Sequence, residues 1–185
     1  GPKVKVGVIK FEGNKKVQTR FLRAAMHNSK PIGIPHSIFL ENLFARTFDA
    51  TKLSEDAERV RFAYQDKGYF KAIVEDPKTK IRDVNGIAWY LPFKARHGKS
   101  VDITVAVEEG DRYHLGSITF TGNKAVQNTR ALRGTFALKD GDVFNATAIG
   151  KGMEALKKAY GQLGYINFGA IPKASFDEAK KTVSF

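Results

Sequence analysis

The stretch Lys10-Phe11-Glu12-Gly13-Asn14-Lys15 occurs a second time, as Thr119-Phe120-Thr121-Gly122-Asn123-Lys124. Each copy ends an apolar run that is typical of a strand and begins a run with helical spacing. Glycine and asparagine both tolerate a positive φ, so Gly-Asn predicts a sharp reversal of the backbone at both places. Because the dipeptide returns in matching surroundings, we predict that the chain consists of two repeats.

The order of elements in each repeat is strand, helix, helix, strand, strand. The clearest strand has β-branched residues alternating with other residue types, at Val101, Ile103, Val105 and Val107. The longer helix is predicted to begin at a capping residue, Asp49 or Thr51 in the first repeat and Asn145 in the second. We therefore predict an α+β fold of two tandem β-α-α-β-β modules, each a small three-stranded mixed sheet with two helices packed on one face.

The boundaries of the two modules follow from matching their landmarks. The longer helices correspond residue by residue, with Leu53, Ala57, Val60, Tyr64 and Gly68-Tyr69 matching Ile149, Met153, Leu156, Tyr160 and Gly164-Tyr165. The first module is predicted to span residues 1–111, with insertions at about 30–48 and 77–99. The second is predicted to span 112–185, with a last strand that we expect to continue past Phe185.

The composition is that of a globular protein with an unusually basic balance. Hydrophobic residues make up 42% of the chain, the formal net charge is +12, and the pI is about 9.8. Because the Lys and Arg residues are spread along the chain, this charge is better explained by a solvated basic surface than by an anionic partner, which would be nucleic acid or lipid head groups. Cysteine is absent, which excludes disulfides and thiolate metal sites.

The sequence gives no support for catalysis. Its four histidines, His27, His36, His97 and His114, have no metal-ligand spacing, and none lies in a recognisable nucleophile motif. The neighbouring carboxylates Glu108-Glu109 and Asp140/Asp142 fall at turns and helix entries, where turn and dipole roles explain them. We predict no enzyme activity, no catalytic residue, no metal and no cofactor.

Several short motifs together resemble a known family. The first repeat contains Phe11-Glu12-Gly13-Asn14, a helix that leads into Gly68-Tyr69-Phe70, and Val107-Glu108-Glu109-Gly110. The second contains Phe120 to Asn123, Asp140 to Asn145, and Gly164-Tyr165. In their order and doubling these motifs resemble POTRA (polypeptide-transport-associated) domains over essentially the whole chain. Within that family they look most like the periplasmic part of outer-membrane β-barrel assembly factors.

The resemblance implies a non-enzymatic scaffold on the periplasmic side of the bacterial outer membrane. Its expected partners are unfolded outer-membrane proteins, accessory lipoproteins and a C-terminal membrane β-barrel of its own, with an anionic lipid surface as a further candidate. We expect no nucleic acid partner. Two alternatives stay open: the POTRA region of a two-partner secretion transporter, and a basic tandem α+β protein that binds nucleic acid.

The exposed edge strands are the predicted client site. Edge strands offer unpaired N–H and C=O groups to which a partner strand can add. In the family the strand after the second helix is such an edge, which here implies residues 70–75 and 166–170. The candidate client-binding residues are Phe70, Lys71, Ala72, Ile73, Val74, Glu75, Ile166, Asn167 and Phe168. In the first repeat, the edge could equally be solvated or paired within an insertion.

The second insertion contains a cluster of aromatic residues. Trp89, Tyr90 and Phe93 lie between basic residues and form a candidate patch for a partner protein or a lipid surface. The alternative is an extra hairpin that packs its own aromatic side chains on the sheet.

Overall fold

The computed structural model describes residues 4–29, 48–87 and 95–185. It divides into two compact units. The first comprises Gly1–Ala63 and Ile73–Glu109, and the second comprises Tyr64–Ala72 and Gly110–Phe185. Each unit has its own sheet and its own helices, so the predicted α+β architecture of tandem modules is confirmed.

The first unit is built around one long strand. Its elements are β1 (Val4–Glu12), α1 (Thr19–Ala25), α2 (Ala50–Gln65), β2 (Ile73–Val74), β3 (Lys78–Ile87) and β4 (Ala95–Glu108). β1 pairs with β4 in parallel, whereas β2 and β3 pair with it in antiparallel fashion. The sheet thus has four strands rather than the predicted three, because the region predicted as the second insertion contributes β3 and the start of β4.

Alternation along β4 creates the core of this unit. Successive side chains of a strand point to opposite faces, and every second residue of β4 from Val101 to Val107 is buried. The helices supply the opposing apolar residues, among them the fully buried Leu22 of α1 and Val60 of α2. The alternating pattern read from the sequence therefore corresponds to the covered face of the sheet.

The Gly-Asn turns have the predicted geometry in both units. Gly13 has a φ of 86° and Gly122 a φ of 74°, values that favour glycine. At Gly13 a Cβ would lie 2.1 Å from the carbonyl oxygen of Val107, so no other residue fits there. The following asparagine caps the turn in both copies: Nδ2 of Asn14 donates to the Val17 carbonyl at 3.1 Å, and Nδ2 of Asn123 donates to the corresponding Val126 carbonyl at 2.8 Å.

The second unit repeats this plan with a shorter first strand, first helix and central strand, and with a long helix of nearly the same length. Its elements are β5 (His114–Leu115), α3 (Thr129–Arg133), α4 (Ala146–Gln162), β6 (Ser175–Asp177) and β7 (Thr182–Ser184). β7 is central, with β5 parallel on one side and β6 antiparallel on the other. The predicted cap of the long helix is confirmed, since Oδ1 of Asn145 accepts the N–H of Ala148 at 2.7 Å. One buried cluster consists of Tyr113, Leu115, Phe136, Phe144, Ile149 and Val183, and a second consists of Leu132, Leu156 and Tyr160.

Candidate functional site

The open edge of the first sheet runs along β2 and β3. β1 occupies one side of β4 from Lys99 to Ala106, so β3, which pairs with residues 95–104, must occupy the other side. β2 follows on that same side at Val107 and Glu108. In the described part of the chain no strand pairs with the far side of β2 or β3. We call the strand segment from Ile73 to Ile87 the β2–β3 edge.

A bulge interrupts this edge between its two strands. Val74 pairs with Val107, but Lys78 pairs with Thr104, so the β2–β3 edge contains one residue more than the matching part of β4. The extra residue falls within Glu75-Asp76-Pro77. Bulges and prolines are typical of edge strands, where a lost ladder hydrogen bond does not disturb a further neighbour.

One hydrogen bond fixes the direction of the amides in β2. The N–H of Glu75 donates to the carbonyl of Ala106 at 3.0 Å. In an antiparallel pair, alternate residues direct N–H and C=O groups toward the partner strand, and the residues between them direct theirs away. The N–H and C=O groups of Ile73 therefore point toward β4, and those of Val74 point to the open side.

The side chains of the edge divide into two sets. Lys78, Lys80 and Arg82 lie opposite Thr104, Asp102 and Ser100, which places all three basic residues on the face of the sheet away from the apolar core. On the other face, Ile81 lies opposite buried Val101 and yet is 61% exposed. Ile73, at the start of the edge, lies opposite Glu108 and therefore on the same face as the basic residues, and it is 56% exposed. The edge thus offers apolar contacts and positive charge beside its open backbone groups.

An ion pair holds β3 in place. Nη2 of Arg82 donates to Oδ1 of Asp102 on β4 at 2.9 Å, and that same oxygen accepts the N–H of Val8 on β1 at 3.0 Å. The hydrogen bond from Arg82 lowers the pKa of Asp102 below its usual value, so the carboxylate stays charged. The Asp102 side chain, on β4, consequently connects β1 with β3 and stiffens the edge that β3 forms.

Not all predicted edge residues of the first repeat belong to this strand. The prediction of a strand from Phe70 onward was wrong, because Phe70 and Lys71 form a turn within the second unit. There the ring of Phe70 packs against Phe144 and Phe176, with centroids 4.9 and 5.1 Å apart. Ala72 is buried, which leaves Ile73, Val74 and Glu75 on the open edge.

Lys71 makes its contacts in the second unit as well. It forms an ion pair with Glu178, and its Nζ lies 4.5 Å from the centroid of the Phe176 ring. Glu178 also accepts the hydroxyl of buried Tyr113 at 2.7 Å. Lys71 and then Tyr113 lower the pKa of Glu178 to about 2. These contacts give Lys71 a structural role in holding the turn.

The predicted edge strand of the second repeat does not form. Ile166 and Asn167 lie in a turn, Phe168 is outside any strand, and the strand that pairs with β7 is β6, further along the chain. Phe168 instead stacks on Tyr160 of α4, with ring centroids 4.0 Å apart. This contact holds the segment against the helix end, which explains why the apolar run is no strand. Ile166 is 81% exposed.

The aromatic patch of Trp89, Tyr90 and Phe93 lies outside the described residues, as does most of the first predicted insertion. Its role stays a prediction. Within residues 4–29, 48–87 and 95–185, no three His, Asp or Glu side chains come together in a way that could hold a metal ion. Among the described helices, none combines the length and the apolar character needed to cross a bilayer.

Two buried carboxylates are residues whose role the sequence did not reveal. Asp56 is fully buried and accepts the N–H groups of Asn28 and Ser29. Glu109 is also buried and accepts N–H groups from the Gly-Asn turn, beginning with that of Lys15. These backbone partners are far away in sequence, so no local pattern could have found them. Both residues stabilise the fold and are not part of the open edge.

Comparison with known proteins gives one family for the whole chain. The POTRA family model, described as "Surface antigen variable number repeat", matches residues 4–110 and 113–185. A curated relative from Treponema pallidum (strain Nichols), named "Putative outer membrane protein assembly factor", is 28% identical over 186 residues, which cover 100% of this chain and 20% of the relative. "Outer membrane protein assembly factor BamA" from Buchnera aphidicola subsp. Acyrthosiphon pisum (strain APS) is 24% identical, over 77% of this chain and 21% of the relative.

Solved structures share the fold. The crystal structure of Haemophilus influenzae BamA POTRA3-5 superposes with a TM-score of 0.65 at 24% identity, covering 98% of this chain and 63% of that one. BamA from Haemophilus ducreyi lacking POTRA domains 1-3 gives a TM-score of 0.54 at 17% identity, covering 97% and 28%. At these identities the likeness concerns the fold. The chain spans about a fifth of the length of the curated relatives it matches.

Proposed function

This chain belongs to the POTRA family, and from that membership we propose that it is a non-enzymatic scaffold of an outer-membrane protein assembly and insertion machine. It works on the periplasmic side of the bacterial outer membrane, as part of a longer polypeptide with a membrane β-barrel. It binds unfolded β-barrel clients and accessory lipoproteins. The names of its relatives support this assignment, since they are outer-membrane assembly factors.

The β2–β3 edge is the observation that carries the proposal. A client segment adds to this edge as a further strand and pairs with the groups that face away from β4, such as the N–H and C=O of Val74. Main-chain pairing requires no particular client sequence. This property suits a scaffold that must hold many different polypeptides in extended form.

The side chains of the edge favour strands of the kind found in membrane barrels. Such strands alternate apolar and polar residues over about 10 residues. A client strand of this kind can pair with the edge so that its apolar side chains lie on the same face as Ile81. Its polar side chains then lie on the face of Lys78, Lys80 and Arg82. Acidic side chains at the polar positions gain most from Lys78 and Lys80, since Arg82 is already paired with Asp102.

Clients are expected to bind this edge weakly and reversibly. A net backbone hydrogen bond contributes about 0.5–1.5 kcal/mol, so four or five of them give roughly 2–7 kcal/mol before the cost of ordering the client is subtracted. The dissociation constant should then be no tighter than about the millimolar to high-micromolar range. Clients can therefore leave the edge as they insert into the membrane.

The substitution Val74→Pro tests strand addition at this edge. It removes the N–H that faces the open side, at a type of position where edge strands tolerate proline. Titration with a synthetic peptide of alternating barrel-strand sequence, followed by NMR, should show shifts along residues 73–87 in the original protein. In Val74→Pro the affinity should fall about 2- to 10-fold, the value of one such hydrogen bond.

The control is Val74→Ala, which shortens the same side chain and keeps the N–H. It should bind the peptide with nearly the original affinity. If the peptide binds a folded Val74→Pro as tightly as it binds Val74→Ala, or if its shifts appear only away from the edge, clients do not add as a strand here.

A further inference from the structure

The turns that end the two long helices have the same conformation. Gly68 has a φ of 94° and Gly164 a φ of 90°. In the first turn the N–H of Tyr69 donates to the carbonyl of Tyr64 at 3.0 Å, and in the second the N–H of Tyr165 donates to that of Tyr160 at 3.0 Å. In both turns the two tyrosine rings meet edge to face, with centroids 5.9 Å apart. The two turns therefore present their backbone groups in the same way.

The polar groups of the first turn are bound within the second unit. The carboxylate of Asp66 accepts the N–H and the hydroxyl of Thr147, each at 2.8 Å, at the start of α4. The carbonyl of Asp66 accepts Nδ2 of Asn145 at 2.9 Å, and the carbonyl of Gly68 accepts the N–H of Tyr113 at 2.8 Å. The first turn is thus hydrogen-bonded to the start of α4 and to the residue that precedes β5.

The apolar part of the first turn is packed as well. The Phe70 ring lies against Phe144 and Phe176 of the second core, as described above. A Cβ on Gly68 would come within 2.8 Å of a methyl group of Val143, which shows how closely the turn is covered. The turn of the first repeat is therefore a structural part of the unit that follows it in sequence.

The matching turn of the second repeat is exposed. Ile166 occupies the position of Phe70 and is 81% exposed, and Leu163, in the position of Lys67, is 61% exposed. Among the described residues, nothing lies within 4 Å of a Cβ built on Gly164. Apolar side chains at this level of exposure, on a turn already held in the docking conformation, indicate a surface that is normally covered.

We propose that the turn Gln162–Ile166 is a docking surface for a further β-α-α-β-β unit, which follows this chain in the full polypeptide. Ile166 enters the core of that unit as Phe70 enters the core of the second unit. The carbonyl of Gly164 accepts an N–H from the first strand of the new unit. The Treponema relative is about five times as long as this chain and the Buchnera relative nearly four times, which leaves room for such a unit.

Differences between the turns define what the further unit must offer. Ile166 is smaller than Phe70, so its pocket should be narrower and more aliphatic than the one formed by Phe144 and Phe176. Gln162 stands in place of Asp66, and its amide oxygen can accept from a helix start without the benefit of a charge. This contact should accordingly be weaker than that of Asp66.

Site-specific photo-crosslinking in the full-length protein tests the proposal. Benzoylphenylalanine is placed at Ile166, with the same residue at Phe70 as the positive control and at exposed Lys151 of α4 as the negative control. At Phe70 the crosslink should map to residues 110–185. At Ile166 it should map to a later segment of the same polypeptide with the landmarks of a third repeat, and Lys151 should give no such product.

Other products at Ile166 overturn the proposal. Such products are a crosslink to a second copy of the chain, to a client or lipoprotein, or to a part of the polypeptide without the repeat pattern. The absence of any crosslink at Ile166 also overturns the proposal.

A pair of charge substitutions provides a second measurement. Ile166→Asp should lower the thermal midpoint of the full-length protein and raise hydrogen exchange in the unit that follows. It should leave the midpoint of the 185-residue chain unchanged, since the side chain is exposed there. Ile171→Asp, at a residue that is 86% exposed outside the turn, should change neither protein. Equal effects of the two substitutions in the full-length protein refute the docking role of the turn.

Discussion

A single carboxylate holds the Gly-Asn turn of the first unit. The oxygens of Glu109 accept the N–H groups of Lys15 at 3.0 Å, Lys16 at 2.7 Å and Val17 at 2.9 Å. All three backbone donors thus have an acceptor on one buried carboxylate, and the distances are those of charge-assisted hydrogen bonds. The turn that identifies the repeat in the sequence is thus fixed in space by a residue 92 to 94 positions away.

The substitution Glu109→Gln should destabilise the first unit by about 1.5–3 kcal/mol, the usual value of hydrogen bonds to a charged group. The amide keeps the size of the side chain, but it turns two N–H donors toward backbone donors. Urea unfolding measures the change. Exposed Glu108→Gln is the control and should stay within about 0.5 kcal/mol. If the two variants unfold alike, Glu109 does not hold the turn.

At the scale of the elements, α4 shows how position decides the role of a residue. Gly150 and Gly152 lie in the same helix, two residues apart. Among the residues that the structure describes, a Cβ at Gly150 would meet nothing within 4 Å, whereas a Cβ at Gly152 would lie 2.1 Å from Cδ1 of the buried Phe136 ring. Gly152 therefore allows the Phe136 ring to pack directly on the helix, and Gly150 has no such task.

The two glycines should respond to alanine in opposite ways. Gly150→Ala should stabilise the protein by about 0.5–1 kcal/mol, because alanine loses less conformational entropy in a helix. Gly152→Ala should destabilise it by roughly 1–3 kcal/mol, because the Phe136 ring must move out of a packed core. Thermal unfolding of both variants checks the signs. A stabilising Gly152→Ala would contradict the close contact between α4 and Phe136.

At the scale of the whole molecule, the repeats in the sequence and the units in space do not coincide. The sequence assigns residues 64–72 to the first repeat, but these residues belong to the second unit. Aromatic packing by Phe70 and the ion pair of Lys71 with Glu178 hold them there. The integrity of the second unit therefore depends on a segment that lies outside the second repeat.

The substitution Phe70→Ala should consequently weaken the second unit. Loss of the ring should cost about 2–3 kcal/mol, less than for a fully buried phenylalanine, because Phe70 is only partly buried. Hydrogen exchange should rise around β5 and β7 and change little in β4. Phe62→Ala removes a ring that is half exposed on α2 and serves as the control. A rise in exchange confined to β4 would contradict the assignment of this segment to the second unit.

The sequence by itself determined the features that depend on local chemistry. Strand alternation, helix caps and turn residues act over a few positions, so the repeat, the α+β class, the cap at Asn145 and the strand from Val101 to Val107 could be predicted correctly. The order of the motifs also gave the POTRA family. The exact boundary between the modules, at residues 111 and 112, stays a prediction.

Only the tertiary structure decided which backbone groups stay unpaired at a sheet edge and which apolar side chains stay exposed. Whether an apolar segment such as 166–170 becomes a strand depends on a partner strand and on competing contacts, here the stacking of Phe168 on Tyr160. The β2–β3 edge exists because β1 already occupies the other side of β4. Phe70 is covered and Ile166 is exposed although their turns are alike. Such differences arise from contacts between distant segments, which local sequence patterns do not encode.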